Sequence, residues 1–307
     1  MRKSLLLLTF GMLFFSCMQQ TKGTQENEHQ FTGKEGEVSL IVLAPGHFHA
    51  NLLQKKSIPQ LNDTVSVYAF SSEDAGLRQY LSAIESFNGR TEDPTTWHTS
   101  LYTGYDFLDK MVIDKKGNVV VLAGNNKEKT EYLSRAVDAG FNVLSDKPMA
   151  INREDFILLE EAYSNAEANN LLLYDMMTER YDLLNIIEKE LVNDSAFFGE
   201  LQPGAPDDPA VYMESVHHFF KEVAGTPLTR PAWYYDVEQQ GEGIADVTTH
   251  LIDLLFWKCF PDQVIDYKND ISNISASRWP TVITLQQFTQ STGESSFPVY
   301  LQKNLDE

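Results

Sequence analysis

"LIVLAPGHFHANLL", residues 40–53, joins an apolar run to a kink and then to a stretch with helical spacing. A short apolar run without polar alternation suits a strand buried on both faces, and a kink feeding a helix is how such strands leave a parallel sheet. The rhythm repeats: "VSVYAF" (65–70) precedes "DAGLRQYLSAIESF" (74–87), "NVVVLA" (118–123) precedes "KEKTEYLSRAVDAG" (127–140), and "FNVLSDKP" (141–148) precedes "REDFILLEEAYSNAEANN" (153–170). A last strand, "LLLYDMM" (171–177), runs into the helical "RYDLLNIIEKELV" (180–192). Strands alternating with amphipathic helices predict an α/β fold, with a doubly wound parallel sheet covered on both faces over residues 38–175. Residues 88–107 interrupt the pattern with Gly, Pro and aromatics and read as a surface loop.

Past Gly199 the pattern changes, and residues 176–307 read as a second, α+β domain. "VYMESVHHFF" (211–220) predicts a strand of a second sheet, with His217 and His218 on opposite faces. Residues 225–243 read as loop, "DVTTHLIDLLFWKCF" (246–260) as helix, "DQVIDYKN" (262–269) as a short strand, and "PTVITLQQFTQSTG" (280–293) as a helix capped by Gly293. One or two strands are too few for an independent sheet, so the open sheet of this domain is expected to be small or incomplete.

The 307 residues are 42% hydrophobic, enough for two packed cores, and their formal net charge of −20 excludes a nucleic-acid partner on electrostatic grounds. Residues 1–17, "MRKSLLLLTFGMLFFSC", place Arg2 and Lys3 before an apolar run too short to span a bilayer. That is an export signal, and its small residue before Cys17 resembles the lipobox of bacterial lipoproteins. It implies a lipid anchor on Cys17, a location on the periplasmic face of a membrane, and a polar tether over residues 18–37. With Cys17 acylated, Cys259 alone remains, so no internal disulfide is expected.

A Rossmann-type dinucleotide turn uses three glycines, for the tight turn, the approach of pyrophosphate and helix packing. Ala44, Gly46 and His49 hold those places here, so only the middle glycine is kept. Gly46 still precedes a helix start, where amides and dipole favour an anion, and His47 and Phe48 follow it. A second reading of the turn is a His-x-His metal pair, His47 and His49, of a metal-dependent hydrolase. It conflicts with the architecture, because Asp253 falls within a helical pattern rather than at a strand end.

Two longer stretches, "NVVVLAGNN" (118–126) with "GFNVLSDKPMA" (140–150), and "RPAWYYDVEQQGEGIADVTTHLIDLLFW" (230–257), are similar to motifs of the Gfo/Idh/MocA oxidoreductases. "TERYD" (178–182) resembles the Arg-centred segment that opens that family's second domain, and the likeness runs over residues 38–260. The resemblance implies catalytic roles for Lys147, Asp246 and His250. His250 would act as base, Lys147 would hydrogen-bond the reacting oxygen, and Asp246 would orient His250. It implies NAD or NADP as cofactor, with no metal, held by Ala44, Gly46, His47, Phe48, His49, Asn126, Asp146 and Pro148. Glu73 is the candidate for the ribose-reading acid. Trp233, Tyr234, His218 and Asp253 are the expected substrate contacts, while Arg180 reads as part of a structural ion pair. Lys129 stands where the family often has a histidine.

The function so implied is oxidation of a sugar or polyol hydroxyl with hydride transfer to nicotinamide, in a chain able to form homo-oligomers. The alternative of a different class is a non-catalytic sugar-binding lipoprotein on the same fold.

Overall fold

Leu40 and Val42 face one side of the first strand and Ile41 and Leu43 the other, and all four are essentially without solvent contact. That double burial is the physical meaning of the unbroken apolar run. The computed structural model of the protein describes residues 31–305 apart from 224, 225, 273 and 274. The expected export signal and most of the tether lie outside the described residues.

The strands β1 (Leu40–Leu43), β2 (Thr64–Ala69), β3 (His98–Thr103), β4 (Val119–Leu122), β5 (Asn142–Ser145) and β6 (Leu173–Asp175) form one six-stranded sheet in the order β3-β2-β1-β4-β5-β6. Every pairing in it is parallel, with Leu43 opposite Tyr68 on one side and Leu122 on the other. This is the open Rossmann arrangement, whose direction of winding reverses between β1 and β4. Ligands bind such sheets at the carboxyl ends of the strands beside that reversal.

The helices α1 (Ala75–Asn88), α2 (Phe107–Asp114), α3 (Lys129–Asp138) and α4 (Arg153–Ala168) supply the crossovers. Asp74 caps α1 by accepting from the Leu77 amide, and Asn152 caps α4 by accepting from that of Asp155. Between β1 and β2 the chain makes a 3-10 helix, Phe48–Gln54, in place of the usual α-helix. Two buried clusters result, one on each face of the sheet, the first around Met111, Leu122 and Leu133 and the second around Val65, Val67 and Leu77.

The reading of 88–107 as loop is corrected, because β3 lies inside it and pairs in register with β2 from Thr64–His98 to Ala69–Thr103. As the edge strand it is half exposed, so it lacks the apolar run that marks its buried neighbours.

The second half is mainly helical: α5 (Leu183–Val192), α6 (Ser195–Phe198), α7 (Val237–Gln240), α8 (Thr249–Cys259) and α9 (Leu285–Thr292). Its one described sheet is a hairpin of β7 (Glu222–Val223) and β8 (Thr226–Pro227). The strands expected over 211–220 and 262–269 do not form. Both segments have strand-like sequences, but a strand exists only when a second segment accepts its hydrogen bonds, and none does so among the described residues. The expected helix over 280–293 forms in its second part, with a Thr284–Gln287 capping box and Gly293 at φ +78° closing it. Lys258 at the end of α8 ties that helix to α5, donating to Glu188 at 2.6 Å and to Asn185 at 2.8 Å. Among the described residues no helix is long and apolar enough to cross a membrane.

Candidate active site

The turn after β1 keeps the shape of a dinucleotide turn with altered residues. Ala44 adopts φ +46°, the left-handed conformation for which glycine is the usual residue. Gly124, after β4, faces it so closely that a Cβ there would lie 2.2 Å from the Ala44 carbonyl oxygen. A Cβ on Gly46 would lie 3.2 Å from the Gly124 Cα and 3.6 Å from Trp233 Cζ2, so the retained glycine is the one at which the two halves of the protein meet. The amides of Gly46 and His47 both donate to the Ala123 carbonyl at 3.0 Å. The two leading amides, expected to meet a phosphate, are thus held within the fold.

His49, in the place of the packing glycine, turns inward. Its Nδ1 lies 2.8 Å from Asp146 Oδ1, while His47 Nδ1 lies 2.9 Å from Oδ2 of the same carboxylate. The Phe48 ring packs on both imidazoles, with centroids at 4.4 and 4.3 Å. Burial, the largest influence, pushes Asp146 up, but the two imidazoles beside it and the charge of Lys129 hold it well below the usual carboxylate range. His47 is lowered, chiefly by burial.

Lys129 is completely buried behind this group. Its ammonium donates to Asn126 Oδ1 at 2.5 Å and to the carbonyls of Asp146 and Pro148 at 3.2 Å. Burial brings it down to about 8, with Asp146 opposing the shift. Asn126 in turn donates to the Gln240 carbonyl at 2.9 Å. It therefore ties the two halves together, and the residue that reaches the groove is its neighbour Asn125.

Lys147 follows β5, with a cis bond to Pro148, and crosses to the second half. Its Nζ donates to Asp246 Oδ1 at 2.7 Å and to the Asp246 carbonyl at 3.0 Å. Asp246 lies in a π-helical turn, Ile244–Thr248, leading into α8. Such widened turns recur at functional sites, and a side chain entering the hydrogen-bond ladder is one of their causes. Burial pushes Asp246 up, but the charge and hydrogen bond of Lys147 outweigh it and hold the carboxyl low. His217 approaches the other carboxylate oxygen at 4.0 Å, and burial brings it down to about 4. His250 is lowered by burial and then by the charge of Lys147, and its Nδ1 is buried without a hydrogen-bond partner.

Lys147, Asp246, His250, His217, His218, Trp233 and Tyr234 all line one cavity of about 1350 Å³, which His47, Phe48 and His49 close from the turn side. A second groove of about 610 Å³ continues from Gly46 over the ends of β1, β2 and β4, along Asp74, Gly124 and Asn125. Arg230 borders both. It donates to the carbonyls of His218 and Phe219, lies 4.2 Å over the Tyr234 ring, and among the described residues has no carboxylate partner.

Several expected roles are corrected. Asp246 pairs with Lys147 rather than with His250. The reason is the π-helical turn, which interrupts the α-helical spacing on which that expectation rested. Asp253 is buried and bound by Arg180, whose Nε donates to it at 2.8 Å, so it serves the ion pair and not a substrate. Glu73 points outward to Arg78, while Asp74 faces the groove. His217 and His218 lie on irregular chain rather than a strand, and His217 is the one directed at Asp246. Lys129, Gln240 and Arg230 were not among the expected site residues, although Arg230 and Gln240 lie within the 230–257 stretch. Only the replacement of a family histidine by Lys129 marked one of them.

A Rossmann sheet is joined across a crevice to a helical second half, with a Lys-Asp contact spanning the two, which is the arrangement that the resemblance to the Gfo/Idh/MocA oxidoreductases implied. Residues 187–307 match a family described as "Putative oxidoreductase C terminal domain". A putative oxidoreductase from Parabacteroides merdae is 52% identical, with 90% of this chain and 62% of that one covered and a TM-score of 0.85. The chain thus spans less than two thirds of that relative's length. A putative oxidoreductase from Thermotoga maritima shares the fold at 16% identity, with 72% and 58% covered and a TM-score of 0.50. A NAD-binding protein from Listeria innocua, at 17% identity, covers 72% and 55% with a TM-score of 0.47. No curated protein matches the chain.

Proposed function

We propose that the protein oxidises or reduces a carbon-oxygen centre of a sugar or polyol, using NAD or NADP. The observation that carries this reading is the Lys147–Asp246 contact across the crevice, with His250 in the same cavity. The residues fit the cofactor. The groove over β1, β2 and β4 lies where a dinucleotide is expected, Gly46 is bare where a side chain would obstruct it, and Arg230, without a carboxylate partner among the described residues, offers a cation where the two cavities join. Asp74, which caps α1 just after β2, lines the same groove and is the acid nearest the place where the family reads the ribose. A bound nicotinamide supplies the hydride acceptor.

The chain's own residues do the rest. Lys147 carries three N–H donors, and Asp246 takes two directions of them, which leaves one for the oxygen of the substrate. There it stabilises developing negative charge. His250, kept neutral by burial and by Lys147, accepts the hydroxyl proton at its free nitrogen. Trp233, Tyr234 and Tyr181 give the cavity aromatic faces suited to the apolar side of a sugar ring. The lipid anchor on Cys17 and a periplasmic location belong to the same proposal, as does the alternative of a sugar-binding lipoprotein without turnover.

Titration with NADH and NADPH, followed by fluorescence, tests the cofactor directly. Binding of either, with Lys147→Ala and His250→Ala each lowering turnover about 100- to 10,000-fold while the fold persists, is the expected result. Absence of nicotinamide in the denatured protein together with no binding on titration refutes the enzyme and favours the sugar-binding alternative.

A further inference from the structure

The group at the base of the cavity does more than fill the place of a glycine. Asp146 stands between two lysines, yet neither pairs with its carboxylate. Lys129 donates to the Asp146 and Pro148 carbonyls and to Asn126, and Lys147 is directed to Asp246. The two carboxylate oxygens are met instead by the Nδ1 atoms of His47 and His49. One of those contacts is not a hydrogen bond: His47 Nδ1 is buried, 2.9 Å from Oδ2, and without a partner in hydrogen-bonding geometry. Among the described residues, these three form the one group of such donors whose ligand atoms all lie within 4.8 Å of one another.

We propose that His47, His49 and Asp146 bind a divalent first-row transition ion of the zinc class, with its open positions facing the cavity. Two imidazoles and one carboxylate are an established ligand set for such ions, and catalytic sites keep three protein ligands with a position left for water or substrate. An ion at about 2.0–2.2 Å from each donor requires the donors to converge as these do. The side-by-side approach of His47 Nδ1 to the carboxylate is how two ligands of one ion meet, whereas a hydrogen-bonded pair would lie in line. His47 and His49 are held by the turn after β1 and Asp146 by the end of β5, so the site is fixed by the sheet. Its open side borders the cavity that holds Lys147 and His250. The ligand class completing the site is an oxygen donor, water or a hydroxyl or carbonyl of the substrate. This goes beyond the redox reading and stands independently of it.

The test needs no nicotinamide, so its outcome is separate from that of the proposed activity. The purified full chain, stripped with a chelator, is titrated with Co²⁺ alone. A visible d–d absorption that saturates at one equivalent and is displaced by Zn²⁺ is expected. His47→Gln, which alters the partly exposed ligand and leaves the buried pair, weakens binding at least about tenfold. His98→Gln, at the opposite end of the sheet on edge strand β3, leaves binding unchanged. No saturable band in the unaltered protein overturns the proposal and makes the trio a hydrogen-bonded brace. A band that His47→Gln leaves as strong as before overturns it equally, since the ion then sits elsewhere.

Discussion

The sheet from β1 to β6 and the irregular chain from Val211 to Phe220 are both rich in strand-forming sequence, and only one of them forms strands. In the sheet, Ile41, Val42 and Leu43 each find a strand neighbour on both sides, Leu40 one in β4, and all four a packed cluster above or below. In the irregular segment Tyr212 and Val216 are exposed, and no strand partner lies among the described residues. Apolar content and β-propensity are local, whereas a strand is a property of two segments. The comparison therefore separates what a sequence says about a residue from what it says about its neighbours.

The widest consequence is in hydrogen exchange. Amides of β1 and β4 open only with the whole domain, while those of 211–220 have no ladder to protect them. Exchange in β1 and β4 is expected to be at least about a thousandfold slower than in 211–220. Comparable protection in both would show that the segment has a partner in solution, and the contrast would fail.

Truncations draw the same line energetically. Met111→Ala and Leu122→Ala remove fully buried side chains from the cluster beneath the sheet and are expected to cost about 2–5 kcal/mol each in denaturant unfolding. Tyr212→Ala and Val264→Ala, on exposed positions, should stay within about 0.5 kcal/mol. A large loss from either exposed change would place it in an interface.

The same contrast explains how far the sequence could be read. Apolar runs at 40–43 and 119–122, and Gly293 capping the helix near the end of the chain, are each decided by a few adjacent residues, and each was legible. β3 was hidden because an edge strand needs only one good neighbour and carries no apolar run. In the site, Lys147, Asp246 and His250 share the cavity as their motifs implied. The pairing of Lys147 with Asp246, the burial of Lys129 against Asn126 and the inward turn of His49 depend on backbone paths that no motif spacing encodes. Asp253 shows the converse, a motif acid whose partner, Arg180, lies far away in the chain and decides its role.

Gly124 sharpens the comparison at the point where the sheet becomes the site. Its Cβ would meet the Ala44 carbonyl, a backbone atom that cannot rotate aside. Gly124→Ala is expected to lower stability by about 1–3 kcal/mol and to weaken nicotinamide binding, because the turn must move. Gly243→Ala, with open space around its Cβ, is the matching change in the second half and should leave stability within about 1 kcal/mol. Equal effects from the two would mean that the β1 turn is not held by β4.

The smallest effect is on acid stability, and its sign follows from which groups are shifted. His47, His217 and His250 are all lowered by burial, His217 to about 4. Between the ordinary histidine range near 6.5 and those lower values the unfolded chain binds protons that the folded chain refuses, so stability falls as pH drops through this window. Asp146 and Asp246, held low by their partners, add a further loss only below the ordinary carboxylate value, as pH falls toward their folded-state pKa values. The melting temperature should therefore begin to decline near pH 6.5, well before carboxylates titrate. Replacing His217 by Gln removes one of the three groups while leaving the sheet untouched, and the decline between pH 6.5 and 4 should become shallower by a few degrees. An unchanged profile in His217→Gln would mean that the imidazole beside Asp246 is accessible to solvent, and that the cavity is wetter in solution than the packing around it implies.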